Sequence, residues 1–373
     1  MSLREDIERF AEDRALLKIY EKIEDGRRLD FEDGIKLFET TDILTLGRLA
    51  SFVNEKKNGK LVYFVVNRHI NPTNICIGNC KFCAFRKSKG DEGAYELTIE
   101  EILKKAGEYV DKGITEIHLV GGLHPDWSYD YYLQMIKELH EAYPDVNIQA
   151  FTAEEIDYLS RIGRKEIEEV IIDLVKAGLG SIPAGGAEIF NTKVRNSLCP
   201  EKLTAQRYLE VHKTAHRFGL KSNASILYGH VESYRDRVEH LLMLREAQDE
   251  TGGFQAFLSF AYHPENTALG GKKTTGFDDL KMLAAARLLL DNFPHIRAFW
   301  IMLGEKLAQT SLFFGVDDLD GTVVEEEITR CAGADTGSYM PKSRLIKLIK
   351  EAGKIPVERD SVYNVVNVYY GEE

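Results

Sequence analysis

From Gly59 onward, short apolar runs of strand character alternate with segments whose apolar residues recur at helical spacing. Eight such runs can be counted: Leu61–Asn71, Glu116–Gly121, Val146–Thr152, Gly178–Pro183, Leu220–Tyr228, Phe254–Ala261, Ile296–Leu303 and Ser311–Gly315. The segments between them carry helix punctuation. Thr98 and Glu101 have the spacing of a capping box ahead of Ile102–Asp111, and Gly113 supplies the stop. The segment Tyr132–Pro144 ends at a proline and Ile167–Gly178 at a glycine. Strand–helix–strand units of this kind connect parallel strands with right-handed crossovers, and eight repeats predict closure into an α/β, TIM-type (β/α)8 barrel. An open doubly wound sheet is the competing arrangement.

The flanks read differently. Residues 1–58 predict an N-terminal helical segment, with apolar residues at helical spacing in Arg14–Glu24, Phe31–Thr40 and Asp42–Asn54. Residues 59–320 form the expected barrel. Residues 321–373 form a C-terminal extension, with a helix over Ser343–Gly353, that packs on the barrel or closes one of its mouths. No low-complexity linker separates the three, which predicts one compact unit. A content of 44% hydrophobic and 29% charged residues is that of a globular protein. The net charge of −12, without a run of Lys or Arg, argues against a nucleic-acid partner. No apolar run approaches the roughly 20 residues that span a bilayer, and the charged start Met1–Arg14 is unlike a signal peptide, so a cytoplasmic protein with no membrane partner is expected.

Of five cysteines, three stand within eight residues: Cys76, Cys80 and Cys83, with Phe82 before the last. This is a poor disulfide framework and fits a reducing compartment. Three thiolates on one short loop can hold three corners of a cubane iron–sulfur cluster, whereas a closed electron-transfer cluster takes four cysteines. A zinc site completed by His69 is the plainer alternative, but structural zinc sites are usually closed by paired Cys or His ligands, and Cys199 and Cys331 stand alone.

Barrel active sites lie at the C-terminal ends of the strands, and polar, glycine-rich residues of this chain collect there. Gly121 and Gly122 follow the second strand, where the lack of a Cβ lets backbone groups approach a ligand. Glu188, after the fourth strand, is placed to accept bonds from ribose hydroxyls or an amine, or is a carboxylate favoured by a helix N-terminus. His230 and His263, after the fifth and sixth strands, are candidate proton carriers or carboxylate ligands, alongside Glu265 and Asn266. Arg68 and Arg195 are candidate two-pronged clamps for a carboxylate. Neither a P-loop nor a Gly-x-Gly-x-x-Gly turn is present.

The cysteine spacing resembles that of the radical S-adenosylmethionine (SAM) superfamily. Together with Gly121–Gly122, Gly185–Phe190, Tyr228–Glu232, Gln248–Phe257 and His263–Leu269, it makes the chain similar to the menaquinone (futalosine pathway) branch of that superfamily, related to the deazaflavin-forming FO synthases. The strings Val65–Cys76, Phe151–Asp157 and His263–Thr267 look most like the aminofutalosine synthases, with the sister dehypoxanthine futalosine cyclases as first alternative and a non-catalytic metal or electron-transfer module as the remote one. The resemblance implies a [4Fe-4S] cluster on Cys76, Cys80 and Cys83 and SAM as consumed co-substrate. Phe82, Gly121, Gly122, Glu188 and Arg195 would lie at the cofactor, and His230, His263 and Asn266 at the chemistry. It further implies addition of the 5′-deoxyadenosyl group to 3-[(1-carboxyvinyl)oxy]benzoate, giving 6-amino-6-deoxyfutalosine, methionine and bicarbonate. The electron would come from a donor such as flavodoxin or ferredoxin. One departure is Ala184, where the branch often has glycine; it matters only if position 184 needs a positive φ.

Overall fold

The computed structural model describes residues 3–110 and 112–371. The first two residues of the expected helical segment, the helix end expected at Asp111, and residues 372–373 of the extension lie outside the described residues. Eleven strands share one sheet: β1 (Leu61–Val65), β2 (Asn67–Ile70), β3 (Glu116–Leu119), β4 (Asn147–Ala150), β5 (Ser181–Ile182), β6 (Lys221–Tyr228), β7 (Phe254–Ala261), β8 (His295–Arg297), β9 (Asp318–Gly321), β10 (Ile355–Arg359) and β11 (Val365–Val368). From β2 to β9 each strand lies parallel to the next in chain order. β9 then pairs in parallel with β1, which runs on through Val66 into β2, so the sheet returns to its start. The Val324 carbonyl accepts from the His69 amide at 3.2 Å, carrying this closure upward. The expected (β/α)8 barrel is the fold found.

Two of the eight expected strands are misplaced. Within Ile296–Leu303 the strand stops at Arg297, and Trp300–Leu303 is a helical turn. Ser311–Gly315 is the end of the helix Glu305–Ser311 and a following turn. The last barrel strand is β9, whose Asp-Leu-Asp-Gly sequence lacks any β-forming pattern. Its two aspartates are buried because arginines meet them: Arg359 Nε donates to Asp318 at 2.7 Å and Arg297 Nη1 to Asp320 at 3.0 Å. The capping box at Thr98 forms as the spacing predicts, with Thr98 N donating to Glu101 at 2.8 Å and Glu101 N to Thr98 Oγ1 at 3.2 Å.

On the outside, helix Gly276–Leu289 is buried along most of its length because the N-terminal helices Phe31–Glu39 and Ile43–Asn58 cover it on the face away from β7. Within the C-terminal extension, Glu326, Ile328, Thr329 and Ala332 line the site, while the part from β10 onward acts at the opposite end of the strands. β10 joins β1 in parallel and β11 folds back on it. The turn between them tucks under the strand starts. The Tyr363 hydroxyl donates to Asp318 at 2.8 Å, Arg297 Nη2 donates to the Tyr363 oxygen at 3.2 Å, and Ser361 donates to Glu116 at 2.8 Å. Asp318 and Glu116 open β9 and β3, so this turn closes the N-terminal mouth of the barrel.

Asp318 and Arg359 are both fully buried, and removing one member of such a pair leaves an uncompensated charge. Arg359→Met is therefore expected to lower the unfolding free energy by about 3–5 kcal/mol, read from urea denaturation.

Candidate active site

The C-terminal ends of the strands open into a cavity of about 540 Å³. One end of it is the loop that leaves β2. The loop is pinned by its own polar side chains: Asn74 Nδ2 donates to the Gly93 carbonyl at 2.9 Å, its Oδ1 accepts from the Tyr95 amide at 2.8 Å, and Thr73 donates to the Tyr95 carbonyl at 2.7 Å. Backbone bonds from Cys76 N to Lys87 O (3.1 Å) and from Lys87 N to Asn74 O (2.8 Å) tie its two limbs. Cys76, Cys80, Phe82 and Cys83 all line the cavity.

The donor set fits the implied cluster. Among the described residues these three thiols are the cysteine side chains lining the cavity. Gly78 lies beside both Cys76 and Cys80, where a Cβ would stand 3.5 Å and 4.0 Å from their Sγ atoms, and its N–H donates to Cys76 Sγ at 3.3 Å. Cys199, which stands alone in the sequence, is brought close to Cys80, with Lys81 N donating to the Leu198 carbonyl at 2.9 Å beside it, but it does not line the cavity. Burial pushes the Cys76 and Cys83 thiols up, so loading iron on them releases protons.

The glycine pair serves the same loop. A Cβ on Gly122 would lie 2.3 Å from the Ile75 carbonyl oxygen, and one on Gly121 3.1 Å from that of Thr73. The end of β3 thus presses directly on the cysteine loop, with Gly122 N donating to Thr73 O at 2.9 Å. Gly121 N donates instead to Glu155 at 3.2 Å. Burial lifts Glu155 to about 7 even though Thr152 and Gly121 hydrogen-bond it. Glu188 lines the cavity at a strained φ of 50°. Burial opposes its ionisation, but the Lys202 ammonium 2.7 Å away outweighs this and holds its pKa below the usual range. Ala184 has no positive φ, so the departure from glycine there is accommodated.

His263 lines the cavity; its Nε2 meets the Met302 carbonyl at 3.2 Å and its Nδ1 is buried without a partner. Four other expected residues lie elsewhere. Arg195 is buried behind the site, its guanidinium spent on the carbonyls of Gly186, Ala187, Ile189 and Leu203, so it braces the Glu188 loop instead of clamping a ligand. Arg68 points outward from β2, the direction opposite to its neighbour His69, to the Lys105 and Val324 carbonyls and Glu325. His230 is held by the Leu227 carbonyl at 3.0 Å and by Glu232, and faces a separate cavity of about 490 Å³. Asn266, exposed at φ 60°, donates to the Cys331 carbonyl at 2.9 Å and ties down the C-terminal extension.

In their place the strands supply polar residues that the apolar runs conceal: His69 from β2, His118 from β3, Gln149 from β4, Asn223 from β6, Arg297 from β8 and Asp320 from β9 all line the cavity. The signal for them was a polar residue at an inward period-2 position of an otherwise apolar strand, as in Glu116-Ile117-His118-Leu119.

Two outcomes follow. Gly122→Ala places a methyl against backbone that cannot yield, and is expected to abolish iron incorporation, measured as iron per chain after anaerobic reconstitution. Glu326, buried at the cavity with both oxygens 3.1 Å from Thr329 N, is raised by burial to about 7. A folded-state pKa above the unfolded one stabilises at low pH and is lost as pH rises through it. The unfolding free energy should thus fall by on the order of 3 kcal/mol between about pH 4.5 and 8 on account of this group, and Glu326→Gln should remove that part of the slope.

Residues 70–244 match the family model of the radical SAM superfamily, and residues 251–370 that of the CofH/MqnC C-terminal region. The chain is 46% identical to an aminodeoxyfutalosine synthase of Thermus thermophilus, over 96% of this chain and 97% of the relative, and 40% identical to one of Streptomyces coelicolor, over 95% of each. It is also 40% identical to a 5-amino-6-(D-ribitylamino)uracil–L-tyrosine 4-hydroxyphenyl transferase of Methanopyrus kandleri, over 93% and 94%. The [FeFe]-hydrogenase maturase HydG of Carboxydothermus hydrogenoformans shares the fold, with a TM-score of 0.72 at 17% identity, covering 97% of this chain and 83% of that one. With its cysteine loop facing the barrel cavity and relatives of this similarity along nearly its whole length, the chain belongs to the radical SAM superfamily, in the group that carries the CofH/MqnC C-terminal region.

Proposed function

We propose that this chain is an aminodeoxyfutalosine synthase, joining the adenosyl group of SAM to 3-[(1-carboxyvinyl)oxy]benzoate to give 6-amino-6-deoxyfutalosine, methionine and bicarbonate for menaquinone biosynthesis. The observation that carries it is that one cavity holds both the three-cysteine loop and a polar strand wall, in a chain 46% identical to such a synthase over nearly its full length. Cys76, Cys80 and Cys83 would hold a [4Fe-4S] cluster, which supplies the electron that splits SAM to methionine and the 5′-deoxyadenosyl radical. The residues of the chain provide the rest. Leu258, Phe260 and Phe299 give the cavity apolar walls that exclude water from a reactive carbon and hold an aromatic ring. Gly121 and Gly122 let the cysteine loop sit against the strand ends, which fixes the cofactor end of the cavity relative to the wall. Glu188, neutralised by Lys202, stands at the cofactor end as an acceptor for hydroxyl or amine groups. Holding the two reacting carbons at near-attack distance is the main contribution open to a site of this kind. A reducing cytoplasmic setting and an external one-electron carrier of the flavodoxin or ferredoxin class complete the reading.

The 40% identity to a tyrosine 4-hydroxyphenyl transferase favours one second reading, in which the aromatic partner is L-tyrosine. Mass spectrometry of anaerobic reactions separates them. Iron-reconstituted protein with a one-electron reductant, SAM and 3-[(1-carboxyvinyl)oxy]benzoate is expected to give aminodeoxyfutalosine and methionine in equal amounts, and Cys80→Ala to give neither. Product only with L-tyrosine and 5-amino-6-(D-ribitylamino)uracil would establish the second reading. Accumulation of 5′-deoxyadenosine with no adduct from either would point to a hydrogen-abstracting cyclase.

A further inference from the structure

The polar row on the barrel wall has an internal order that specifies more than polarity. His69, His118, Gln149 and Ser181 are successive cross-strand partners on β2, β3, β4 and β5, so they form part of one layer of the barrel interior. Barrel layers are normally filled by branched apolar residues. Here the layer is a hydrogen-bonded chain with one direction. Asn147 Oδ1 accepts from the Ser181 hydroxyl at 3.0 Å, and Ser181 Oγ accepts from Gln149 Nε2 at 3.1 Å. The carbonyl oxygen of Gln149 is thereby turned to His118 Nδ1 at 3.0 Å. A carbonyl only accepts, so Nδ1 carries a proton in every state of the ring, and Nε2 is the nitrogen left for a ligand.

The neighbouring ring is fixed the other way. Val323 N donates to Asn67 Oδ1 at 2.9 Å, which turns Asn67 Nδ2 toward Glu116 at 3.1 Å and toward His69 Nε2 at 3.2 Å. His69 Nε2 therefore accepts, and its proton sits on Nδ1. The two imidazoles lie parallel, 4.2 Å apart at 7°. Their in-plane lone pairs do not converge, which disfavours a metal ion shared with the nearby Glu116. Glu116 lies 3.8 Å from His118 Nδ1, with Arg297 and Arg359 also bearing on Glu116.

The other cations around the cavity are committed. Lys202 is paired with Glu188, Arg161 with Asp157, and Arg297 with Asp320. Arg86, with a buried Nε that has no partner, belongs to the cysteine loop and so to the cofactor end. Among the described residues of the strand wall, His118 and Asn223 are left with a side-chain nitrogen free for a ligand, and of the two the imidazole is the one that can carry positive charge toward an anion.

Resting on the synthase reading above, we propose that His118 Nε2, protonated, is the contact for the ring carboxylate of the benzoate substrate. Gln149 is the positioning residue that aims it. The apolar Leu258, Phe260 and Phe299 of the same cavity would take the ring itself.

The test compares KM for 3-[(1-carboxyvinyl)oxy]benzoate and for (1-carboxyvinyl)oxybenzene, which lacks the ring carboxylate, in the wild type, His118→Gln and Gln149→Leu. Loss of a charge-assisted hydrogen bond predicts a rise of roughly ten- to hundredfold in KM for the benzoate in His118→Gln, a smaller rise in Gln149→Leu, and the same KM as wild type for the analogue in both. Iron content after reconstitution checks the fold; if His118→Gln takes up no iron, Gln149→Leu carries the comparison. An equal rise for both compounds, or no rise for either, overturns the assignment of His118 while leaving the synthase reading standing. No adduct from the wild type with either compound overturns that reading and the assignment with it.

Discussion

The ten residues from Leu61 to Ile70 carry a double load. Their lower half is hydrogen-bonded to β9 on one side and β10 on the other, and their upper half to β3. This one segment closes the barrel, and the chain leaves it directly into the loop of three cysteines. Closure and cysteine placement are therefore the same constraint. If the segment slipped by one residue, His69 and Arg68 would exchange faces, putting a guanidinium in the cavity and an imidazole outside. The register that keeps the cysteines over the cavity also keeps the polar row facing it.

A barrel interior with this many charged groups is stable only because they are satisfied in pairs. Arg297, Asp318, Asp320, Arg359 and Tyr363 form a connected network beneath the cavity, and three of its five members come from β8 and β9 while Arg359 ends β10 and Tyr363 lies in the turn that follows it. Buried ionic networks of this kind contribute specificity of arrangement more than net stability. Here the arrangement fixed is the floor of the site. The C-terminal extension is thus part of what defines the cavity, although it contributes no residue to the cysteine loop.

The architecture was legible because alternation of strand and helix survives in composition, and the cysteine spacing is chemically specific. Six of the eight strand positions were found where apolar residues repeat. β9 was invisible because its inward residues are aspartates, and aspartate in a strand is explained only by Arg297 and Arg359, which lie 23 and 41 positions away from Asp320 and Asp318 on other strands. The false strand at Ser311–Gly315 has the opposite cause, since Leu312 and Phe314 are apolar but cap a helix against the core. Among the expected site residues, the cysteines, Phe82, the glycine pair, Glu188 and His263 all line the cavity. Arginines 68 and 195 are spent on buried carbonyls, because a guanidinium satisfies these as readily as it clamps a carboxylate, and sequence does not say which. His118 and Gln149 lay inside apolar runs, and only cross-strand register shows that they are neighbours.

Under the proposed function Cys76, Cys80 and Cys83 would hold the cluster and leave it open to SAM, with Cys199 a neighbour of Cys80 that does not line the cavity. Electron paramagnetic resonance of the reduced, reconstituted protein tests it directly, before and after SAM labelled with ¹⁵N at its amino group is added. A changed cluster spectrum and a ¹⁵N coupling in the accompanying double-resonance measurement are expected. A spectrum indifferent to SAM in the protein as it stands, but responsive in Cys199→Ser, would mean that Cys199 closes the fourth position and would contradict it.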